Sequence, residues 1–296
     1  MTNLPSLIEK FDAFLLDAYG VFWGSSATGM LPQAKETMAK IVSLGKIVGI
    51  LSNTTQLALV EKEKFAKYGV LEGVHYHFIL TSGEVTKALL SSTKLPFETP
   101  KKTYILFTPD HPEYSSHLAI FNGTEYKEVS SIEEADFIYV PIPHINGKDQ
   151  EKPEDFLEMV QKAAKKNLPV LCANPDLFAH EGAPPRLVVR QGSIAHLFIA
   201  EKASVHFIGK PYPIVYEQAL AKFPKKFTPK DILMVGDTPE TDIRGAKSIG
   251  MKTALVTKTG VMKERIKDQD IELVVEDLPL TDKPDFIVTH FGLYDF

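Results

Sequence analysis

The sequence predicts an α/β fold, a doubly wound and mainly parallel sheet with helices on both faces. Short apolar runs rich in β-branched and aromatic residues recur along the chain, and segments with helical patterning lie between them. Most of these runs are continuous rather than alternating, as is typical of strands that are covered on both faces. The chain has 296 residues, of which 44% are hydrophobic and 24% charged, so it can bury a large core.

Strands and helices can be predicted from these patterns in chain order. A helix is expected where apolar residues recur at helical spacing and Pro, Gly or Asn marks an end. The predicted strands are 13–16, 47–51, 78–80, 103–107, 137–140, 170–172, 206–208, 232–235, 253–256 and 286–288. The predicted helices are 32–44, 56–68, 152–166, 214–222 and 241–248. The stretches 141–148 and 180–186 are expected to be loops, and the second is also a candidate domain boundary.

The composition excludes several functional classes. The 33 Lys+Arg and 38 Asp+Glu residues give a net charge of −5 without a basic run, so nonspecific binding of nucleic acid is not expected. The single cysteine, Cys172, can form neither an intramolecular disulfide nor a cysteine-cluster zinc site, which favours a reducing, cytoplasmic environment. Residues 1–12 lack the pattern of a signal peptide, and the apolar runs are far shorter than the ~20 residues of a membrane helix, so no membrane association is expected.

Chemically reactive side chains follow four of the predicted strands. In an open α/β sheet, ligands bind beyond the carboxyl ends of the strands, so polar residues at these points are candidates for a site. The residues that lie just beyond an apolar run in this way are Asp17, Ser52, Asn53, Lys210, Asp237 and Asp242.

Each of these positions also has an ordinary structural interpretation. An acid can end a strand in a simple turn, Ser and Asn are common helix N-caps, and most lysines are solvated. The pair Asp237 and Asp242 is the most specific, because carboxylates gathered at one strand end suit a hard divalent cation such as Mg²⁺. The alternative for this pair is an N-cap and a first-turn acid favoured by the helix dipole. The interpretation as a site therefore rests on all four strand ends together.

In chain order these motifs resemble those of the haloacid dehalogenase (HAD) superfamily. They are the sequence DAYGV at 17–21, Ser52, Lys210, and the sequence GD at 236–237 with Asp242. The sequences TS at 81–82, CANPD at 172–176 and GKP at 209–211 are similar to subfamily IIA, the C2-capped phosphatases that include pyridoxal phosphatase and NagD-type sugar and nucleotide phosphatases. The resemblance implies a HAD-like Rossmannoid catalytic core of residues 1–80 and 192–296. It also implies an inserted α/β cap, residues 81–191, for substrate recognition.

The resemblance further implies the role of each site residue. Asp17 is the expected nucleophile, and Ser52, Asn53 and Lys210 the expected phosphate ligands, with Ser52 and Lys210 also catalytic. Mg²⁺ is expected on the Asp17 carboxylate, the main-chain carbonyl of Tyr19 and Asp237, with Asp242 supporting them from behind. The residues expected at the substrate-binding loop of the cap are Asn174, Asp176 and His180, although an Asn-Pro-Asp sequence is equally typical of a turn that ends a strand.

Position 19 departs from the family pattern. Phosphatases of this superfamily have an aspartate there, which protonates the leaving oxygen and then assists water, whereas this chain has Tyr19. A phenol with an ordinary pKa of ~10 is a poor base at neutral pH, so hydrolysis is expected to be slower by about 10²–10⁴-fold. His144, Asp176 or His180 could supply the proton instead, although both histidines also fit exposed loop positions. Tyr19 could equally be a packing residue, and Trp23 either lines the pocket or packs in the core.

The predicted function is Mg²⁺-dependent hydrolysis of a small phosphomonoester, such as a sugar phosphate or nucleotide, through an aspartyl phosphate on Asp17. One alternative is a 2-haloacid dehalogenase, in which Asp17 attacks carbon without a metal. Its chemistry needs no leaving-group acid, but it leaves the Asp237 and Asp242 pair without a purpose. Another alternative is a non-catalytic protein that binds phosphorylated metabolites. The oligomeric state is open, with a homodimer among the candidates.

Overall fold

The computed structural model describes residues 2–24, 28–92, 94–97, 101–108, 112–182, 186–267 and 269–294. The chain folds into two compact units. The core unit comprises Met1–Ser52, Leu59–Leu80 and Lys210–Phe296, and the inserted unit comprises Asn53–Ala58 and Thr81–Gly209.

The described strands and helices alternate along most of the chain. In chain order, the strands are β1 (Ala13–Leu16), β2 (Ile47–Ser52), β3 (Phe78–Thr81), β4 (Thr103–Leu106), β5 (Lys127–Glu128), β6 (Phe137–Tyr139), β7 (Val170–Cys172), β8 (Phe178–Glu181), β9 (Arg186–Val189), β10 (Val205–Phe207), β11 (Ile232–Gly236), β12 (Lys252–Val256) and β13 (Phe286–Val288). The α-helices are α1 (Leu4–Lys10), α2 (Ala34–Ser43), α3 (Ala58–Ala66), α4 (Ser82–Ser91), α5 (Leu157–Ala164), α6 (Gln191–Ala200), α7 (Pro213–Lys222), α8 (Arg244–Ser248), α9 (Gly260–Ile266) and α10 (Ile271–Glu276). Short 3₁₀ segments are Pro112–Phe121, Ile132–Glu134, Pro153–Phe156 and Pro229–Asp231, and Pro239–Ile243 form a π-helical turn.

The core unit contains a six-stranded sheet in the order β13-β12-β11-β1-β2-β3. The pairings β13–β12, β12–β11, β11–β1 and β1–β2 are all parallel. Every residue of β1 and β11 is buried, which explains why these strands are continuous apolar runs in the sequence. The predicted α/β fold with a mainly parallel sheet is therefore confirmed.

The inserted unit has its own parallel sheet in the order β10-β7-β6-β4-β5, together with an antiparallel hairpin of β8 and β9. Its hydrophobic core is formed by residues that are almost fully buried. They are Ile138, Val140, Phe156, Val160, Val170, Val189, Ile194 and Phe198.

The boundaries between the units differ from the expected ones. Residues 192–209 belong to the inserted unit, and so do residues 53–58, although the sequence analysis assigned both stretches to the core. The physical reason is that α6 buries Ile194 and Phe198 in the inserted unit's hydrophobic cluster, and β10 pairs in parallel with β7. Neither contact is visible in local sequence patterns.

The predicted strands are all present, with bounds that shift by one residue at most at either end. Helix α6 was not predicted, because its apolar residues occur on most sides and leave no clear helical period. The expected loop 180–186 differs at its ends, because His180 and Glu181 lie in β8 and Arg186 begins β9, and residues 183–185 lie outside the described residues. Within the described residues, no helix is both long enough and apolar enough to span a bilayer.

Candidate active site

The sheet order brings three of the candidate motifs to one edge of the core sheet. Strand β1 lies between β11 and β2 and runs parallel to both. The carboxyl ends of these strands therefore lie side by side, with Asp17 after β1, Ser52 at the end of β2 and Asp237 after β11.

Three buried carboxylates meet at this edge. Asp17, Asp237 and Asp242 each offer one oxygen atom, and these atoms lie within 4.8 Å of one another. The Lys210 ammonium is buried among them, with Nζ 2.6 Å from Asp17 Oδ1 and 2.7 Å from Asp242 Oδ1. The structure therefore brings Lys210, which is distant in the chain from all three acids, into direct contact with two of them.

Asp242 is held by the turn that follows β11. Its Oδ2 accepts hydrogen bonds from the main-chain N–H groups of Asp237 and Thr238, both at 3.1 Å. A Cβ at Gly236 would collide with the Asp242 side chain, so this close approach requires glycine. Asp242 thus holds the main chain at Asp237 and Thr238.

The electrostatics of this cluster favour an added cation. Burial raises the pKa of Asp17 well above its ordinary value, with Lys210 opposing the shift and the two other carboxylates reinforcing it. Burial and the neighbouring Asp242 likewise raise the pKa of Asp237 to about 7, against the hydrogen bonds that Asp237 accepts. A single ammonium among three acids leaves negative charge uncompensated, and carboxylate oxygens are the ligands that Mg²⁺ prefers. The residues present therefore fit a divalent magnesium ion.

The segment that joins β12 to the first turn of α9, which the sequence analysis did not single out, completes the cluster. Asp237 Oδ2 accepts a 2.6 Å hydrogen bond from the Val261 N–H, and Thr259 Oγ1 donates to the Gly20 carbonyl at 2.5 Å. A Cβ at Gly20 or at Gly260 would collide with the Asp237 carboxylate. The available signal was the polar, glycine-containing run directly after the strand 253–256, which follows the same strand-end rule as the other motifs.

The Tyr19 side chain is directed to a neighbouring ion pair. It is 39% exposed, and its hydroxyl accepts a 2.6 Å hydrogen bond from Lys64 Nζ, which also lies 4.8 Å from the ring centroid. Lys64 in turn donates to both oxygens of the buried Glu61, at 2.6 and 2.8 Å. Trp23 is buried against Phe65, so the structure places it in the core rather than in a pocket.

The remaining candidates are distributed between the two units. Ser52 is buried at the end of β2 in the core unit. Asn53, the first residue of the inserted unit's chain, is also buried, and its Nδ2 donates to Asp176 Oδ1 at 2.8 Å. Asn174 Oδ1 accepts from the Asp176 N–H at 2.9 Å, and His180 is half-buried in the β8 strand.

The histidines are less exposed than the loop interpretation predicts. His144 is buried within the inserted unit, where its Nε2 lies 3.6 Å from Asp149 Oδ1. Asp149 also binds Arg190, at 2.9 Å, so His144 belongs to a buried charged cluster. The interpretation of His144 and His180 as exposed loop residues is therefore wrong.

Similar proteins indicate the family. The HAD-hydrolase-like family model matches residues 207–292, the stretch that contains Lys210, Asp237 and Asp242. A 4-nitrophenylphosphatase of Schizosaccharomyces pombe is 27% identical over 295 residues, which cover 95% of this chain and 92% of that protein.

Solved structures share the fold over nearly the whole chain. A haloacid dehalogenase-like hydrolase of Brucella suis has a TM-score of 0.77 at 24% identity, covering 98% of this chain and 99% of that one. The glycerol phosphate phosphatase of Mycobacterium tuberculosis, crystallised with magnesium, has a TM-score of 0.68 at 17% identity. The match covers 96% of this chain and 76% of that one. The chain therefore shares the fold of haloacid dehalogenase-like hydrolases over nearly its whole length, and residues 207–292 match the HAD-hydrolase-like family model.

Proposed function

We propose that this protein is a Mg²⁺-dependent phosphatase that hydrolyses a small phosphomonoester through an aspartyl phosphate on Asp17. The observation that carries the proposal is the buried cluster of Asp17, Asp237 and Asp242 around Lys210. The similarity to a 4-nitrophenylphosphatase over almost the entire chain supports the same reaction class.

Asp17 supplies the nucleophile in this mechanism. One carboxylate oxygen attacks phosphorus as the bond to the leaving alkoxide breaks, and water then cleaves the aspartyl phosphate to release phosphate and restore the carboxylate. The attacking group must be deprotonated, although burial raises the pKa of Asp17. Bound Mg²⁺, held by Asp17, the Tyr19 carbonyl and Asp237, would supply positive charge that favours the ionised carboxylate and offsets its repulsion of the phosphate dianion.

Lys210 and Ser52 stabilise the charge on the transferred group. The Lys210 ammonium is held in a dry position by two carboxylates, so its charge acts with little screening by water. Ser52 ends the strand adjacent to the one that Asp17 follows, which supports the proposal that its hydroxyl donates to a phosphate oxygen. Asn53, which follows Ser52, binds the same phosphate group through its main-chain N–H.

Turnover is expected to be slow because Tyr19 replaces the usual proton donor. Its hydroxyl accepts a hydrogen bond from Lys64, which fixes the phenol in an ion-paired environment. General acid and base assistance is commonly worth about 10²–10⁴-fold in rate, and the loss of an efficient base should cost a part of this range.

The inserted unit is proposed to recognise the organic part of the substrate. Asn174 and His180 stay predicted substrate-binding residues on this account, whereas Asp176 accepts a hydrogen bond from the Asn53 side chain. The substrate is a phosphorylated metabolite in the cytoplasm, and the identity of its alcohol is a matter for a substrate panel.

The decisive experiment measures phosphate release from 4-nitrophenyl phosphate with Mg²⁺ and with a chelator. The wild-type protein should require Mg²⁺, and Asp17→Asn should lose activity by at least about 10³-fold, because the amide is not a nucleophile. Asp12→Asn is the matched control, since Asp12 has a 78% exposed side chain at the other end of β1. It should have wild-type activity.

Two other outcomes would select the alternatives. Halide release from 2-chloropropionate without metal, together with no phosphate release, would identify a dehalogenase. Binding of phosphorylated metabolites without turnover of any ester would identify a non-catalytic binding protein.

A further inference from the structure

The residues next to two phosphate ligands pack against one turn of the inserted unit. Ser52 directly precedes Asn53, and Lys210 directly follows Gly209, so both ligands sit where the chain passes from one unit to the other. We infer that Asp176, in the turn 174–176, is a positioning residue. It acts on Asn53 and Gly209, the neighbours of Ser52 and Lys210 at the two points where the chain crosses from one unit to the other. The inference rests on the proposed function and assigns Asp176 a role other than substrate contact.

The Asn53 side chain is one point of attachment. It is 3% exposed, and its Nδ2 donates to Asp176 Oδ1 at 2.8 Å. A hydrogen bond to a carboxylate is stronger than one between neutral groups, and here the donor side chain is buried while Asp176 is half-buried. The rotamer of Asn53, and with it the main chain that follows Ser52, is thereby tied to the Asp176 carboxylate.

The turn itself is rigidly held, so it can act as a reference point. The Asp176 N–H donates to Asn174 Oδ1 at 2.9 Å, and Asn174 Nδ2 donates to Gln191 Oε1 at 3.3 Å. The Asp176 carbonyl accepts from the Gly192 N–H at 3.0 Å. A Cβ at Gly192 would collide with the Pro175 carbonyl, which shows how closely α6 packs on the turn.

Gly209 is the second point of attachment. Its φ is +143°, in the region that favours glycine, and a Cβ there would collide with the Pro175 ring and lie 2.9 Å from Asn53 Oδ1. The residue before Lys210 therefore packs against Asn53 and against Pro175, the residue that precedes Asp176. Loss of the Asn53–Asp176 hydrogen bond should therefore disturb the main chain at Lys210 as well as at Ser52.

The main chain after Ser52 is fixed on its other side as well. Ser82 Oγ donates to the Asn53 carbonyl at 2.7 Å, and the Gly83 N–H donates to the Thr54 carbonyl at 3.1 Å. Thr81 Oγ1 donates to the Gln56 carbonyl at 2.7 Å. These bonds hold the carbonyls of residues 53, 54 and 56, and the Asn53 side chain is held separately by Asp176.

The charge of Asp176 also argues against direct contact with phosphate. A carboxylate repels a phosphate dianion, whereas as a hydrogen-bond acceptor for Asn53 it has a favourable role. A positioning residue should affect every phosphate ester alike, because its effect passes through ligands that all of them share. A residue that contacts the alcohol of the substrate should affect esters differently.

The test compares Asp176→Ala and Asp176→Asn in the full-length protein with Mg²⁺. We expect Asp176→Ala to lower kcat for 4-nitrophenyl phosphate and for glycerol phosphate by the same factor, about tenfold. It should also weaken competitive inhibition by inorganic phosphate, which has no organic part. Asp176→Asn keeps an acceptor oxygen for Asn53 and should lose only about two- to threefold. Glu133→Ala, which removes a 67% exposed carboxylate from the inserted unit, is the matched control for truncation.

A reciprocal exchange tests the partner directly. Asn53→Asp alone places two carboxylates in contact and should lower kcat more than Asp176→Asn does. Combining Asn53→Asp with Asp176→Asn restores a donor and an acceptor and should recover a part of the lost activity. Near-ultraviolet circular dichroism should match the wild-type spectrum for each variant that enters the comparison.

Three results would overturn the inference. The first is an equal loss of kcat in Asp176→Asn and Asp176→Ala. The second is an Asn53→Asp and Asp176→Asn double variant whose loss of kcat, as a free energy, equals the sum of the two single losses. The third is an effect of Asp176→Ala that is limited to KM for one ester and leaves inhibition by inorganic phosphate unchanged. Absence of wild-type phosphate release would instead refute the proposed function. In that event calorimetric titration with inorganic phosphate decides the inference, since equal affinity of the wild-type and Asp176→Ala proteins would refute it.

Discussion

Replacing Lys210 with methionine should destabilise the protein strongly. The substitution removes a buried ammonium, whose side chain is 3% exposed, and keeps a long unbranched stem. Asp17 and Asp242, at 2.6 and 2.7 Å from Nζ, would each lose their ionic partner. At an effective dielectric constant of ~20, each contact is worth about 6 kcal/mol of Coulomb energy, and desolvation of the ions offsets much of it. Breaking a buried pair typically costs about 3–5 kcal/mol, which is the loss expected here near pH 7.5.

The loss should be smaller in mildly acidic solution. The pKa values of Asp17 and Asp237 are raised in the folded state, so the folded protein binds protons more readily than the unfolded chain, whose Asp pKa is ~4. The destabilising charge is therefore largely absent near pH 4 and develops as the pH rises through about 7. Protonation at pH 5 should thus relieve much of the repulsion that Lys210→Met leaves behind.

The assay is urea unfolding of the metal-free protein at pH 7.5 and pH 5, with the free energy obtained by linear extrapolation. Lys252→Met is the matched control, because Lys252 forms a 2.6 Å ion pair with Asp285 but has a 48% exposed side chain. An exposed pair is worth at most about 1 kcal/mol. If Lys210→Met and Lys252→Met lose the same small free energy, or if the Lys210→Met loss is independent of pH, the electrostatic account of the cluster is incorrect.

Two further predictions concern the same edge of the sheet. Tyr19→Asp should raise kcat for 4-nitrophenyl phosphate, by up to about 10²-fold, because it supplies the acid and base that the family pattern has at this position; an unchanged or lower rate in a folded variant would contradict the role assigned to position 19. The wild-type protein without metal should lose unfolding free energy between about pH 4 and about pH 7, in the range where the raised pKa of Asp237 lies, and millimolar Mg²⁺ should reverse much of this loss. A flat pH profile in chelator, or no stabilisation by Mg²⁺ in thermal unfolding, would contradict the metal-site assignment.

The strand ends were predictable because strand burial leaves a local signature. A strand that is covered on both faces must be apolar throughout, so β1 and β11 stand out in the sequence, and the polar residue that ends each run stands out with them. The parallel arrangement then requires that these ends share one edge of the sheet. Asp17 and Asp237 could therefore be assigned to one edge of the sheet without coordinates, whereas their meeting at one site was implied by the family resemblance.

Other features depended on contacts between distant segments. The Tyr19 side chain pairs with Lys64, and no local pattern links a residue after β1 to one on α3. The boundary at Gly209 depends on β10 pairing with β7, which a short, half-buried strand does not reveal by itself. The segment that joins β12 to α9 at Gly260 follows the strand-end rule, but only its close approach to Asp237 shows that it belongs to the site.

The sequence by itself determined the α/β class, the strand positions and the acids and lysine at the strand ends, because burial and turn chemistry act on neighbouring residues. Only the tertiary structure decided that Lys210 lies between Asp17 and Asp242, and that Asn53 is held by Asp176. These pairs are far apart in the chain, and their meeting depends on how whole strands and helices pack, which the order of residues within any one segment does not encode.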